Sequence, residues 1–278
     1  MSVPDARPSG PAPSRPTPSR RAVVRGGAWT APLIVVSTAA PAFAASTCKT
    51  SYSYRLNWGT TVFTRTSATS ASARIVSTNG GPDIYAVFAV STFGNNTPDA
   101  TRNLTVPGGT AGSDAQLDPA ITNIGGIGAG ERGVRLQNAT SGQGRGNRQE
   151  LTVTFRKTSV NGPAVSTTGL NFWITDIDAI TTSPYADRVE LTGTYNQARD
   201  NAIRGNGLNV AESNNNVGPW RNSDTNNNQG ENTSGARVQI TYTASTSSFT
   251  LAYWNNAAPG TQYHRIFLTD FVFTSTGC

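Results

Sequence analysis

Apolar residues recur at every second position along much of the chain after residue 45, and this spacing constrains the fold more than any other feature. Its first occurrence places polar residues between Tyr52, Tyr54, Leu56 and Trp58. Side chains on a β-strand point alternately to its two faces, so the spacing predicts strands with one buried face. No window of a dozen residues in the same region has the i, i+3, i+4 apolar spacing of a helix. We therefore expect an all-β protein.

Ten further segments show strand-like patterns, which brings the expected number of strands to about eleven. They are residues 73–78, 84–93, 102–106, 134–138, 150–157, 170–177, 188–195, 237–243, 248–254 and 265–274. Turn-forming pairs such as Asn79-Gly80 and Asn206-Gly207 lie between some of them. Many short strands, with no helix to connect parallel ones, predict an antiparallel, jelly-roll-like β-sandwich.

Three stretches rich in Gly and Asn are too long for simple hairpin loops, namely residues 107–132, 197–216 and 218–235. Long loops at the ends of a sandwich commonly carry binding sites. The sequence shows no internal repeat and no Pro-rich linker after residue 45. We therefore expect residues 45–278 to form a single, monomeric domain.

The first 44 residues have the organisation of an export signal. A Pro- and Ser-rich start leads to Arg20-Arg21, then to an apolar run over residues 28–40 and to the small-x-small sequence Ala42-Phe43-Ala44. This order resembles a bacterial twin-arginine signal, which implies that residues 1–44 are removed and that the mature chain is secreted or attached to the cell surface. The apolar run is too short for a permanent membrane anchor. The alternative is a basic tail without regular structure.

The basic balance of the chain belongs mainly to this leader. The formal net charge is +6, but residues 1–44 hold five Arg and one Asp, so residues 45–278 carry +2. The remaining Arg residues are spread along the chain and form no basic stripe. We therefore expect no nucleic-acid partner.

The chain contains one His and two Cys. These counts exclude, within a single chain, a zinc site of several His and Cys ligands and a Cys-ligated iron–sulfur cluster. Cys48 and Cys278 lie at the two ends of the expected domain, and an exported chain favours their pairing in a disulfide. That pairing requires the first and last strands to be neighbours. Lipidation of Cys48 is the alternative, although Ala45-Ser46-Thr47 lacks the apolar residue that a lipobox requires.

The most distinctive segment combines Asp176-Ile177-Asp178, at the end of one expected strand, with Asp187-Arg188-Val189 in the next. This combination resembles a recurrent pattern in β-sandwich domains of bacterial secreted and surface proteins, over roughly residues 150–278. The resemblance implies a binding or structural role at a surface and specifies no ligand.

The same segment contains candidate metal ligands. Asp176 and Asp178 point to one side of an extended chain, and close carboxylates repel each other unless a cation lies between them. Calcium would accept oxygens from Asp176, Asp178 and Asp187. In the alternative interpretation, Arg188 or another Arg pairs with one Asp, while the others accept hydrogen bonds from backbone amides of the turn. No calcium-binding loop motif decides between them.

An Asn-rich stretch surrounds Trp220 and predicts a candidate sugar-binding face. An exposed ring can stack on a pyranose while amides bind its hydroxyls. Trp254 and Asn255, at the end of another expected strand, are candidates for the same site. In the alternative, the loop is solvated, Trp220 packs on the sandwich and Trp254 belongs to the core.

The sequence assigns no catalytic residue. His264 lies in a strand-like pattern, and no Ser is placed in a nucleophile elbow. Two suitably spaced carboxylates would suffice for glycoside hydrolysis, with Asp178, Asp187, Glu190 and Asp270 as the candidates. The sequence favours a non-catalytic structural, adhesive or binding protein. The alternative is a carbohydrate-binding module or a glycoside hydrolase that acts on extracellular or cell-wall polysaccharide.

Overall fold

A computed structural model describes residues 50–107, 123–140, 142–180, 185–224, 231–257 and 264–276, all within one compact unit. These ranges contain strands and one 3₁₀ turn, Ile124–Gly126, but no α-helix. The strands are β1 Ser51–Leu56, β2 Val62–Ser67, β3 Ser70–Ile75, β4 Ile84–Thr92, β5 Thr97–Pro98, β6 Val134–Thr140, β7 Arg148–Lys157, β8 Thr168–Thr175, β9 Ala179–Ile180, β10 Tyr185–Leu191, β11 Tyr195–Arg199, β12 Ile203–Arg204, β13 Arg221–Asn222, β14 Val238–Tyr242, β15 Ser248–Asn255, β16 His264–Leu268 and β17 Phe271–Thr276.

Two antiparallel sheets pack face to face, which confirms the predicted β-sandwich. The first sheet has seven strands in the order β2-β3-β4-β7-β15-β10-β9. The second has eight: β1-β17-β8-β16-β6-β5 form one path, and β14 followed by β11 extends the sheet from β8. The short strands β12 and β13 pair separately.

One edge of β8 pairs with two successive strands. Thr175 pairs with Phe267 of β16, whereas Asn171 pairs with Val272 of β17. The strand is interrupted at Thr269 and Asp270, between β16 and β17. There the side chain of Asp270 accepts a hydrogen bond from the backbone N–H of Trp58 (2.9 Å). The prediction of one strand over residues 265–274 was therefore wrong.

Two other strand predictions also need correction. Residues 102–106 form a turn rather than a strand, with Leu104 at φ 56°. The described residues hold seventeen strands rather than about eleven, because four have only two residues and β2 and β11 expose most of their side chains.

The interior of the sandwich changes character along its strands. One part, the aromatic cluster, consists of Tyr54, Trp58, Phe63, Phe88, Phe155, Phe172, Phe249, Phe271 and Phe273. The other part, the polar cluster, consists of Asn138, Gln149, Asp176, Asp178, Asp187, Asn255 and His264, all buried. Strand β7 connects the two, because its inward residues run from Gln149 through Leu151 and Val153 to Phe155.

The first and last described strands are neighbours, as the predicted disulfide requires. Ser51 of β1 pairs with Thr276 of β17. Cys48 and Cys278 lie outside the described residues, as does the leader over residues 1–44. The disulfide and the export signal therefore remain predictions. Among the described segments, no helix is long and apolar enough to cross a membrane.

Candidate functional site

A cleft of about 340 Å³ lies against the outer face of the seven-stranded sheet. Its lining residues are Arg145, Glu190, Asn209, Val210, Ala211, Glu212, Pro219, Trp254 and Asn256. Trp254 points outward from β15 because its neighbours Tyr253 and Asn255 are on the inner face. Small-molecule sites commonly have volumes of about 300–1,000 Å³, so the cleft is of suitable size for a small ligand.

The chain around Trp220 forms one wall of this cleft. Trp220 is fully buried, and its backbone forms two hydrogen bonds with Val189 of β10 (2.9 and 3.1 Å). Its ring lies 5.7 Å from the Tyr195 ring, measured between centroids. Gly207 packs against the six-membered ring of Trp220, where a Cβ atom on residue 207 would lie 2.5 Å from ring carbons. The φ of Gly207, 73°, also favours glycine. Trp220 and Gly207 together therefore hold this wall against the sheet.

Ion pairs attach the same wall to the sheet. Glu212 accepts hydrogen bonds from Arg188 of β10 (2.6 Å) and lies 3.2 Å from Nε of Arg221. Arg221 also donates to the backbone carbonyls of Asn214 and Pro219, and Arg199 donates to that of Gly205. These arginines satisfy carbonyl groups that a Gly- and Asn-rich loop would otherwise leave without partners. The wall is thus preformed.

Arg145 and Glu190 form the central ion pair of the cleft. Nε of Arg145 donates to both carboxylate oxygens of Glu190, at 3.1 and 2.9 Å. The Glu190 side chain is 8% exposed, whereas that of Arg145 is 39% exposed. Burial raises the pKa of Glu190 above its ordinary value, and Arg145 acts in the opposite direction.

Two amide side chains complete the polar lining. Asn209 and Asn256 are exposed, and neither side chain forms a hydrogen bond with another described residue. Val210, which is 48% exposed, and Pro219 add an apolar surface beside them. Amides next to a small apolar surface match the alternation of hydroxyl and C–H groups on a sugar.

The sugar-binding residues predicted from the sequence have different positions. Trp220 has no exposed surface, and its indole N–H donates to Gln197. Asn255 is also fully buried, and its side-chain oxygen accepts hydrogen bonds from the backbone N–H groups of Ala186 and Ala257. Both side chains are buried and neither lines the cleft, so ligand contact by these two residues stays a prediction that their positions do not favour. Trp254 lines the cleft but is only 3% exposed.

Sequence reasoning missed Arg145 and Asn209 as site residues. Arg145 stands between glycines in the short segment Gly144-Arg145-Gly146. An isolated charge in a glycine-rich turn was the available signal. No local pattern indicates its pairing with Glu190, because Glu190 is 45 residues further along the chain.

The three aspartates that the sequence analysis selected lie together in the polar cluster. The backbone N–H of Asp178 donates to Asp187 (3.1 Å), and the Tyr253 hydroxyl donates to the other oxygen of Asp187 (2.9 Å). Burial raises the pKa of Asp176 to about 7, Asp187 adds to the increase, and Arg265 opposes it.

His264 joins this cluster from the other sheet. Its Nδ1 lies 3.8 Å from Asp187, and neither ring nitrogen forms a hydrogen bond with a described residue. Its ring contacts Tyr185 edge-on at a centroid distance of 5.1 Å. Across the described ranges, no three His, Cys, Asp or Glu side chains are arranged to hold a metal ion. Calcium at Asp176, Asp178 and Asp187 therefore remains a prediction.

Comparisons with known proteins do not assign a function to the chain. No family model matches the chain, and no curated protein matches it. Among solved structures, it is similar to the N-terminal domain of an adhesin from Streptococcus gordonii, with 12% identity and a TM-score of 0.33. The similarity covers 80% of this chain and 58% of that one, so the chain spans less than two thirds of the adhesin domain.

Proposed function

We propose that this is an exported, non-catalytic binding protein that acts at or outside a bacterial cell surface, and that the cleft beside Trp254 binds saccharide. The observation that carries the proposal is the preformed cleft with its unengaged amides, Asn209 and Asn256. A site that is already ordered loses little conformational entropy when a ligand binds. The twin-arginine-like leader supports the extracellular location.

Glycan-array binding of the full chain tests this proposal. Ala211 is exposed and lines the cleft, so Ala211→Trp should fill the site and abolish the glycan signal. Ala244→Trp is the matched control, because Ala244 is exposed outside the cleft. Glycan binding that is retained by Ala211→Trp, or absent from the unmodified chain, would contradict the proposal.

Glycoside hydrolysis is the second candidate, and one observation favours it. Glu190 and Glu212 both line the cleft, and the raised pKa of Glu190 is a property of general acids. Both carboxylates are nevertheless bound to arginines, which favours binding over proton transfer. Release of reducing sugar by the wild-type chain, lost in Glu190→Gln, would replace the binding proposal with this one.

A further inference from the structure

We propose that the saccharide bound in the cleft carries a carboxylate, and that the free edge of the Arg145 guanidinium recognises it. This inference rests on the proposed function and names the ligand class of the same site. Its basis is the distribution of hydrogen-bond donors and charges around Arg145, Glu190 and Glu212.

Arg145 is oriented but only partly engaged. Its one link to Glu190 uses Nε, and neither Nη group donates to another described side chain or to a backbone carbonyl. The side chain is 39% exposed and lines the cleft. A guanidinium edge with two parallel N–H donors fits the two oxygens of a carboxylate, and such charge-assisted pairs are stronger than neutral hydrogen bonds.

The surrounding charges favour an anion. Arg188 and Arg221 both pair with the carboxylate of Glu212. Burial lowers the pKa of Arg221, and the charges of the nearby Arg199 and Arg204 lower it further. The lining of the cleft holds Arg145, Glu190 and Glu212. With Arg188 and Arg221, which pair with Glu212 beside the cleft, three arginines stand against two glutamates, an excess of one positive charge. Excess positive charge in a concave site attracts an anionic ligand.

Glu190 selects the kind of anion. Its carboxylate occupies the Nε side of the same guanidinium to which the ligand would bind. Negative charge at that distance is tolerated more readily by a monoanion than by a dianion such as a phosphate monoester. Asn209 and Asn256 are then available for the hydroxyl groups of the sugar ring. Glu190 is a positioning residue, since it acts on the ligand through Arg145.

Calorimetric titration of the full chain with three matched tetrasaccharides tests the inference. One contains D-glucuronate, the second is its methyl ester, and the third has glucose at the same position. The acid should bind about 10- to 100-fold more tightly than the ester or the glucose form, as expected for hydrogen bonds to a charged group. Arg145→Gln should reduce acid binding to the level of the ester.

Controls separate failure of this inference from failure of the proposed function. Arg74→Gln removes an exposed arginine that is paired with Asp83 outside the cleft, and it should leave acid binding unchanged. Equal affinity for acid and ester, with both lost in Ala211→Trp, would overturn the carboxylate inference and leave the binding function intact. Free glucose 6-phosphate and free D-glucuronate are titrated in the same way, and tighter binding of the phosphate would overturn the preference for a carboxylate. Failure of all three tetrasaccharides and of the glycan array would overturn both proposals.

Discussion

The aromatic and polar clusters occupy the same interior but obtain their order in different ways. In the aromatic cluster, Phe271 lies 4.9 Å from Phe172 and 5.8 Å from Trp58 between ring centroids, and the contacts are non-directional. In the polar cluster, each contact depends on a donor, an acceptor or a proton, as in the bonds from Tyr253 and Asp178 to Asp187. The first therefore depends on packed volume, and the second depends on hydrogen-bond pairing and protonation.

Several hydrogen-bonding groups of the polar cluster have no partner among the residues that the structure describes. Both amide atoms of Asn138 and of Gln149, and both nitrogens of His264, form no hydrogen bond with a described residue. Each such buried group costs roughly 1–3 kcal/mol relative to a satisfied one. The comparison thus teaches that the aromatic end is stabilised by packing, whereas the polar end depends on which hydrogen bonds its buried groups form.

The largest expected effect is at the aromatic end. Phe271 contacts Trp58, Phe88, Phe172 and Phe249 among others, so Phe271→Ala removes the ring that joins these contacts. We expect the free energy of unfolding, measured by urea denaturation, to fall by about 4 kcal/mol. Phe271→Leu retains most of the volume and should cost about 1 kcal/mol. A loss below that value for the alanine variant would contradict the comparison.

The second prediction concerns Asp176, whose raised pKa gives a defined dependence on pH. The folded chain holds its proton up to pH about 7, whereas the unfolded chain releases it near the ordinary value of 3.8. The stability that the protonated group contributes is fully present below pH 3.8 and is lost as the pH rises to about 7. Asp176→Asn keeps a neutral side chain at every pH, and Asn tolerates the φ of 65° at this position.

We therefore expect Asp176→Asn to unfold with nearly the wild-type free energy at pH 4 and to be clearly more stable than wild type at pH 8, where the wild-type chain must bury an ionised carboxylate. Urea denaturation at the two pH values in the presence of chelator measures the difference. Asp224→Asn is a matched control, because Asp224 is exposed and lies outside the polar cluster. An Asp176 effect that is the same at both pH values would contradict the shift.

The smallest expected effect is that of calcium. If the ion binds to the carboxylates of Asp176 and Asp178, millimolar calcium at pH 8 should stabilise the wild-type chain by about 1 kcal/mol, as expected for an ion that binds with millimolar affinity. The melting temperature should rise with calcium and fall again with chelator, and Asp178→Asn should remove the response. An identical melting curve with and without calcium would rule out a stabilising ion.

The sequence predicted those strands in which alternation and burial coincide. Residues 84–93 and 150–157 were assigned almost to their observed ends because alternate side chains face one apolar interior. The break between β16 and β17 shifts the alternation by one residue, from Ile266 and Leu268 to Phe271 and Phe273, but Phe267 is also apolar and buried, so the run looked continuous. β2 was missed because Phe63 is its only buried residue.

The residues of the cleft were less predictable because they come from distant parts of the chain. Trp254 points outward from its sheet, yet Arg145 and the wall around Trp220 bury it. The motif placed Asp176, Asp178 and Asp187 in one candidate group, and the structure brings them close together. Pairing over long separations, as between Arg145 and Glu190, follows from the folded topology and leaves no local pattern.

The pairing of β1 with β17 has a mechanical consequence. Because the two strands are antiparallel and Ser51 faces Thr276, a force applied to these two residues would open the ladder one hydrogen bond at a time. Such unzipping meets less resistance than shearing, in which all the bonds of a ladder are loaded together. A covalent link between Cys48 and Cys278 would carry the load instead of the ladder. The predicted disulfide would then serve chiefly as a tether that keeps the domain folded under tension.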